Sequence, residues 1–539
     1  MMKAQKLLFL LVVLSFIHGY SQDSSPPPVP LMKIKEGVNI QNSSIRDSIM
    51  NKFGGKSTKL NKNPDAKIED YLMITHDYDT IVVDTSLTIQ KYYKLNFLRK
   101  NDFELIPFSN TGNAYNVLGF KSKATQFSEM GAKNKAIAYD NVDDVVYYDL
   151  PTPFTELMYR SVFEQGQILD AIYSVNTSRQ FNFTISRKGL RSLGNYQNFI
   201  TSGSNFKLIT NYFSKNKKYF LRTHYANQKL FAEQNGGITN SDIENFENGV
   251  NQYLDRGVFD PNFENAHNEL LGKRFYIDQV YKFHKNDTLN KSRLEVYNSV
   301  LIEEKQYKFQ QSSLDEFFGE GFSSQQVNDK TFLNTFKIKA GLNFKSDKLG
   351  DVTAGLIFRD EKYSLQNFEI EDYVDPNQSI NSSSLYLSAG YSKKIKQTQF
   401  NFSSSNYLFG DSESSSIKSS IELDLKKKNS LKIALSLLNS TPDYNHSLFS
   451  SNYVNYNWDN EFQNIKTKAL TLKLRLDKII NLDVDYMNIA NHIQFEQIET
   501  GSIDNGFTYS IKPIQHESLI DLLKIKLNRS VSFGKFSID

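Results

Sequence analysis

Over most of the chain, apolar and polar residues take turns one at a time. Phe336, Ile338, Ala340, Leu342 and Phe344 alternate with Lys337, Lys339, Gly341, Asn343 and Lys345. Leu472, Leu474 and Leu476 alternate with Lys473, Arg475 and Asp477, and Ile421, Leu423 and Leu425 with Glu422, Asp424 and Lys426. The same rhythm runs through 181–185, 352–358, 385–391, 431–437 and 482–486. A strand turns successive side chains to opposite faces, so each run reads as a strand with one apolar and one polar face. A soluble sandwich shows the same period. Here the runs approach the roughly 9–11 residues that a tilted membrane strand needs, and their polar faces carry full charges, as the wall of a wet lumen does. A propeller would repeat a unit of about 40–50 residues, and no such repeat is present.

No later stretch approaches the roughly 18 consecutive apolar residues of a membrane helix. A chain that enters a bilayer without such helices must do so as a closed sheet, which satisfies its backbone groups in lipid. The expected fold is therefore all-β, an antiparallel transmembrane outer-membrane β-barrel of about 14–18 strands with long extracellular loops. Connections come in two lengths. Short ones such as 427–430 suit periplasmic turns, and long ones such as 234–273 and 310–330 suit extracellular loops. Within 241–256, Ser241 stands at an N-cap position, Phe246, Val250 and Leu254 follow at helical spacing, and Gly257 closes the run. That pattern predicts a short loop helix.

The N-terminus sets the compartment. Lys3 and Lys6 precede an apolar run from Leu7 to Ile17, and Gly19-Tyr20-Ser21 places small residues where a signal peptidase reads them. Residues 1–21 read as a cleaved signal peptide. Residues 22–67, polar and broken by Pro26, Pro27, Pro28 and Pro30, read as a flexible periplasmic leader. Residues 68–539 remain for the barrel.

Composition narrows the chemistry. The 539 residues carry a formal net charge of +3, which points to no nucleic-acid partner, and contain no cysteine, which removes disulfides, thiolate catalysis and lipoprotein anchoring. Forty Phe and 30 Tyr against one Trp suit the outer surface and interfacial girdles of a barrel. The eight histidines are scattered without metal spacing, and no nucleophile elbow appears. Phe53-Gly54-Gly55-Lys56-Ser57 superficially resembles a phosphate-binding loop, but Met50 stands where its first glycine belongs. The expectation is no enzyme, with no catalytic, cofactor-binding or metal-binding residues.

The polar strand faces hold the better candidates. Arg222, Lys337, Lys339, Lys345, Arg359, Lys473 and Arg475 are the candidate pore-lining residues if the apolar faces meet lipid. One reading has them keep a wet interior solvated and pair with Glu422, Asp424, Asp477, Asp483 and Asp485; the other has them bias a pore toward anions, as charge rings do. Segment 234–273 is the connection expected to fold inward as a constriction. Tyr453, Tyr456 and Trp458 form an aromatic cluster suited to an interfacial girdle or a sugar-stacking surface.

Two blocks resemble the putative-porin family of outer-membrane proteins of the Bacteroidota. One runs through Asp84-Thr85-Ser86-Leu87-Thr88-Ile89, Tyr93-Lys94-Leu95-Asn96-Phe97 and 102–112; the other through 147–157, Gly166-Gln167-Ile168-Leu169-Asp170 and 192–196. Asn235-Gly236-Gly237-Ile238 fits the same pattern. The resemblance implies an outer-membrane barrel and brings no substrate or catalytic residue with it. Such barrels usually finish on a strand with a terminal aromatic, whereas this chain stops at Ser537-Ile538-Asp539; either the last strands are missing or closure is unusual. The length argues against a TonB-dependent receptor, which needs a plug domain and a 22-stranded barrel.

The functional expectation is a porin-like channel in the outer membrane for passive diffusion of small hydrophilic solutes, with outer-membrane lipid as its surroundings. The alternative is a non-conducting barrel subunit of an assembly or secretion complex, docking other outer-membrane or periplasmic proteins through the leader. Export yields the first test: N-terminal sequencing of outer-membrane material is expected to begin at Gln22, and a protein retaining Met1 would show the apolar run to be an anchor.

Overall fold

The computed structural model describes residues 65–538 apart from 86–87, 121–124, 284–291, 323–325, 367–378, 426–428, 478–479, 504–505, 530 and 534–535. The expected signal peptide, the leader up to residue 64, the phosphate-loop look-alike and part of the turn at 427–430 lie outside the described residues. No helix among the described residues is long and apolar enough to cross a membrane.

Sixteen strands form one antiparallel sheet in which neighbours follow one another along the chain. They are β1 (Phe154–Val162), β2 (Gly166–Ser178), β3 (Phe181–Ser192), β4 (Thr201–Phe213), β5 (Tyr219–Gln234), β6 (Ala266–Lys282), β7 (Ser292–Gln311) and β8 (Val327–Ser346). The second half holds β9 (Gly350–Gln366), β10 (Ser379–Ile395), β11 (Thr398–Gly410), β12 (Ser415–Leu425), β13 (Asn429–Ser440), β14 (Ile465–Leu476), β15 (Ile480–Ala490) and β16 (Ile520–Asn528). The edges β1 and β16 are not hydrogen-bonded to each other among the described residues. Most ladders keep perfect register; β8, for instance, pairs with β7 over its whole length. Unbroken pairing is what a membrane demands, because an unsatisfied amide in hydrocarbon costs several kcal/mol.

The two ends of the sheet differ. Tight connections at 179–180, 214–218, 347–349 and 396–397 sit at one end, and long ones at 235–265, 312–326, 441–464 and 491–519 at the other. Short turns mark the periplasmic side and long loops the extracellular side. The expected helix is shorter than its pattern. It spans Asn240–Glu247 and gives way, past Gly249 in the left-handed region, to single turns at Asn251–Leu254 and Arg256–Val258.

Burial is inverted relative to a soluble protein. Along β5, Arg222, His224, Ala226, Gln228, Leu230 and Ala232 are buried, while Tyr225 points outward and is exposed. Leu356, Phe358, Leu387, Ile421, Ile433, Leu435 and Leu470 are all exposed large hydrophobics. The outward faces of β8, β12 and β14 carry Phe336, Ile338, Leu423, Leu472 and Leu474, as alternation requires. The apolar faces thus form the lipid-facing surface.

The wall begins at Phe154, not at residue 68. The described residues before it, 65–149, form no wall strand and pack against the inner face of the sheet. They contain a three-stranded sheet with Leu72–Ile74 between Thr80–Val82 and Tyr147–Asp149, a hairpin of Leu105–Pro107 with Tyr115–Val117, and short helical turns. Phe97, Leu98, Tyr115, Met130, Ala138 and Tyr139 of this insert bury themselves with Ile168, Leu190, Leu230, Leu270, Leu333 and Tyr363 of the wall. Those wall residues lie on otherwise polar inward faces. Gly272 of β6 leaves room for the Tyr139 ring, whose hydroxyl would lie 2.2 Å from a Cβ placed there. A lumen-filling N-terminal segment therefore exists on a wall of sixteen strands.

Leu470→Arg, placing a charge on the outward face of β14, is expected to cost about 2–4 kcal/mol if the position is near the bilayer midplane. Urea unfolding in lipid vesicles measures it. A cost near zero would show that this face does not meet hydrocarbon.

Candidate functional site: the charged lumen and its insert

The inner face of the sheet holds the charges that alternation placed there, and the insert meets many of them. Arg222 lies on β5, 2% exposed at its side chain, and pairs with Asp278 of β6, its cross-strand partner. Its Nη1 donates to the Thr75 carbonyl at 2.7 Å and its Nη2 to the His76 carbonyl at 3.0 Å. The guanidinium also lies over the Tyr78 ring, 3.5 Å from its centroid, while the Tyr78 hydroxyl donates to Asp278 at 2.8 Å. One cation thus ties wall to insert through carbonyls, carboxylate and ring.

A second anchor lies four residues further along the ladder, where Arg274 is paired with Ala226. Arg274 of β6 donates from Nε to His224 Nε2 at 3.0 Å, and from Nη1 to the Asp140 carbonyl at 2.9 Å and to Glu303 at 3.1 Å. Since Nε2 of His224 accepts, its Nδ1 carries the proton and donates to the Tyr147 hydroxyl at 2.9 Å. Tyr139 donates to the same Glu303 at 2.9 Å. Asp140 accepts from Lys207 Nζ at 2.8 Å and Asn205 Nδ2 at 2.6 Å. Burial alone would raise the Asp140 carboxyl, but Lys207 and Lys188 outweigh it and hold it well below the usual carboxylate range. Lys135, also on the insert, has no such partner among the described residues, and burial pushes it down to about 7.

Contacts continue around the sheet. Arg99 pairs with Glu156 of β1 and approaches Asp170 of β2 at 3.5 Å. Phe127 meets Tyr386 of β10 edge-on and lies under Arg359 of β9. Ser128 donates to Thr441 just past β13 at 2.9 Å. Lys526 of β16 donates to Glu104 at 2.8 Å. The insert therefore touches both edge strands, β1 and β16, which are not paired with each other among the described residues. Asn110 bonds the Ser192 and Phe199 carbonyls at the long-loop end, whereas Tyr71 bonds Thr152 beside the start of β1. The insert spans the height of the lumen.

The seven expected lining residues all stand on inward faces, spread over β5, β8, β9 and β14. Arg222 anchors the insert. Arg359 pairs with Glu361 at 2.5 Å, and Glu361 also accepts from Tyr444. Lys337 is the ladder partner of Arg359, and Lys339 lies 5.5 Å from the centre of the Tyr297 ring. Lys345 pairs with Glu295 at 3.1 Å, and Arg475 with Asp483, the ladder partner of Lys473. The structure does not gather them into one ring.

The segments that fold inward are 65–149 and 441–464, and not the 234–273 connection. In the latter, β5 runs to Gln234 and β6 starts at Ala266, leaving 235–265 as an extracellular cap whose Phe259 and Phe263 are buried. Tyr453 in 441–464 donates to Gln311 at 2.6 Å and packs on Phe318, while Trp458 stacks on Phe449 at 4.9 Å. That aromatic cluster is internal loop packing. A cleft of about 490 Å³ remains between the insert and β16, with Lys100, Phe103, Glu104, Tyr139, Asp144 and Lys526 among its lining residues.

A family model described as putative porin matches residues 67–539. The chain belongs to the putative-porin family. It is an outer-membrane barrel, and the copper transporter OprC shares the fold: TM-score 0.50, 10% identity, 80% of this chain and 72% of that one. The ferric enterobactin receptor PfeA of Pseudomonas aeruginosa follows at TM-score 0.45, 9% identity, 71% and 60%. The siderophore receptor PirA of Acinetobacter baumannii aligns at TM-score 0.44, 9% identity, 71% and 60%. This porin-family chain thus spans about 60% of the length of the ferric enterobactin receptor. No protein of curated function matches it.

Arg222→Ala leaves Asp278 buried without its cation and is expected to cost about 3–5 kcal/mol. Limited proteolysis is expected to cut the insert while the wall resists. Equal protection of the insert in variant and wild type would remove Arg222 as its anchor.

Proposed function

We propose that this porin-family barrel is exported by cleavage after Ser21 and passes small hydrophilic solutes by passive diffusion, without catalysis, along the space its own insert leaves open. The supporting observation is the inward face itself: charged residues stand on the inward faces of β5 to β9 and β14 to β16, and Lys526 of β16 borders a cleft beside an insert that docks in part through hydrogen bonds and ion pairs. Part of this docking is by hydrogen bonds that water can replace at modest net cost, beside the apolar contacts that Phe97, Tyr115 and Tyr139 make with the wall. The insert is thereby the natural gate.

One observation favours the second reading, a non-conducting subunit that binds other envelope proteins. Arg222 and Arg274 are almost fully buried between wall and insert, so the periplasmic half is densely packed. Conduction separates the two. Full-length protein in planar bilayers is expected to show single-channel steps. The chain lacks cysteine, so Ser128→Cys with Thr441→Cys introduces one defined pair, whose parent hydroxyls lie 2.9 Å apart. Oxidation, tying the insert to the rim after β13, is expected to lower the open fraction, and reduction to restore it. Folded protein that stays silent in both states would leave the subunit reading standing.

A further inference from the structure

The cleft between the insert and β16 combines an open aromatic ring with balanced charge. Phe103 lines it with 84% of its surface exposed, an expensive position for a large apolar side chain in water. Lys526 pairs with Glu104 at 2.8 Å, with the two side chains 43% and 32% exposed. Lys100 faces Asp144 at 4.0 Å, with 52% and 40% exposed. Pairs this open contribute little to stability, so a solute can engage their charged groups at small cost. The lining itself sets two cations against two anions, with Lys524 outside it at 4.0 Å from Glu104, so no excess of one sign faces a solute in the cleft. Asn101 adds an amide that both donates and accepts.

A ring face is best covered by C–H groups, and carboxylates, ammoniums and amides are best matched by hydroxyls. A small neutral molecule carrying both, an apolar ring face and an equatorial belt of hydroxyls, fits this arrangement. The cleft volume falls within the roughly 300–1,000 Å³ of sites that hold small ligands. Resting on the channel reading above, we propose that this cleft is a subsite for a neutral polyhydroxylated solute, a mono- or disaccharide in size, on its way through the lumen. Phe103 supplies the stacking surface, and the Lys526–Glu104 and Lys100–Asp144 pairs supply the hydroxyl partners.

Binding can be measured apart from passage. Calorimetric titration of maltose into the detergent-solubilised full-length protein is expected to show weak saturable binding, which Phe103→Ala weakens about fivefold, the scale of one lost aromatic contact. Ile89→Ala, removing another highly exposed apolar side chain of the insert outside the cleft, is expected to leave it unchanged. In planar bilayers, maltose is expected to interrupt the potassium chloride current, with shorter interruptions in Phe103→Ala. Binding of glutamate or lysine in place of maltose would overturn the neutral-solute assignment, as would maltose binding indifferent to Phe103→Ala. Maltose binding that depends on Phe103 in a protein without current would uphold the subsite while the channel reading fails.

Discussion

A backbone amide inside hydrocarbon has no water to bond, and everything else in this molecule follows from that constraint. It forces the chain into continuous antiparallel ladders. Ladders force side chains to alternate between lipid and lumen, and the lipid side must be apolar. The polar half of every strand then has nowhere to go but inward. A protein built this way gathers charge at its centre, which is why Arg222, Arg274 and Asp278 are among its most buried groups.

Buried charge needs partners, since unpaired ions lose several kcal/mol of solvation. The insert supplies many of them. Backbone carbonyls of Thr75, His76 and Asp140 receive the two arginines, and the Asp140 carboxylate receives Lys207. The docking surface is thus mostly polar, with one apolar belt from Ile168 to Tyr363 that meets Phe97, Tyr115 and Tyr139.

Much of the wall was legible from alternation alone. Period-2 runs such as 336–345 and 472–477 identified both the strands and their facing, because only a one-residue slip could reverse it. The insert was not legible, for a physical reason. Residues 65–149 have short strands of three residues and turns without period, a pattern that resembles leader and loop. Its one trace was on the wall: Leu190, Leu230, Leu270 and Leu333 interrupt polar faces at inward positions, and an aliphatic side chain facing a wet lumen implies something packed upon it. The same gap explains why 234–273 was expected to fold inward. Length made it the obvious constriction, whereas the lumen was already occupied. The seven basic candidates faced inward as alternation required, but their partners on the insert, and those brought close by strand order such as Asp278, need the fold to be seen.

The central claim is that the chain's own N-terminal segment occupies the lumen and reaches the last wall strand. Zero-length carbodiimide cross-linking in intact outer membranes, followed by peptide mass spectrometry, tests it directly. The Lys394–Asp424 pair within the wall, 2.8 Å apart, serves as the positive control. The account predicts an amide link between Glu104 and Lys526, 422 residues apart in sequence and 2.8 Å apart in space. A control link without the Glu104–Lys526 link would place the segment outside the lumen and contradict the account.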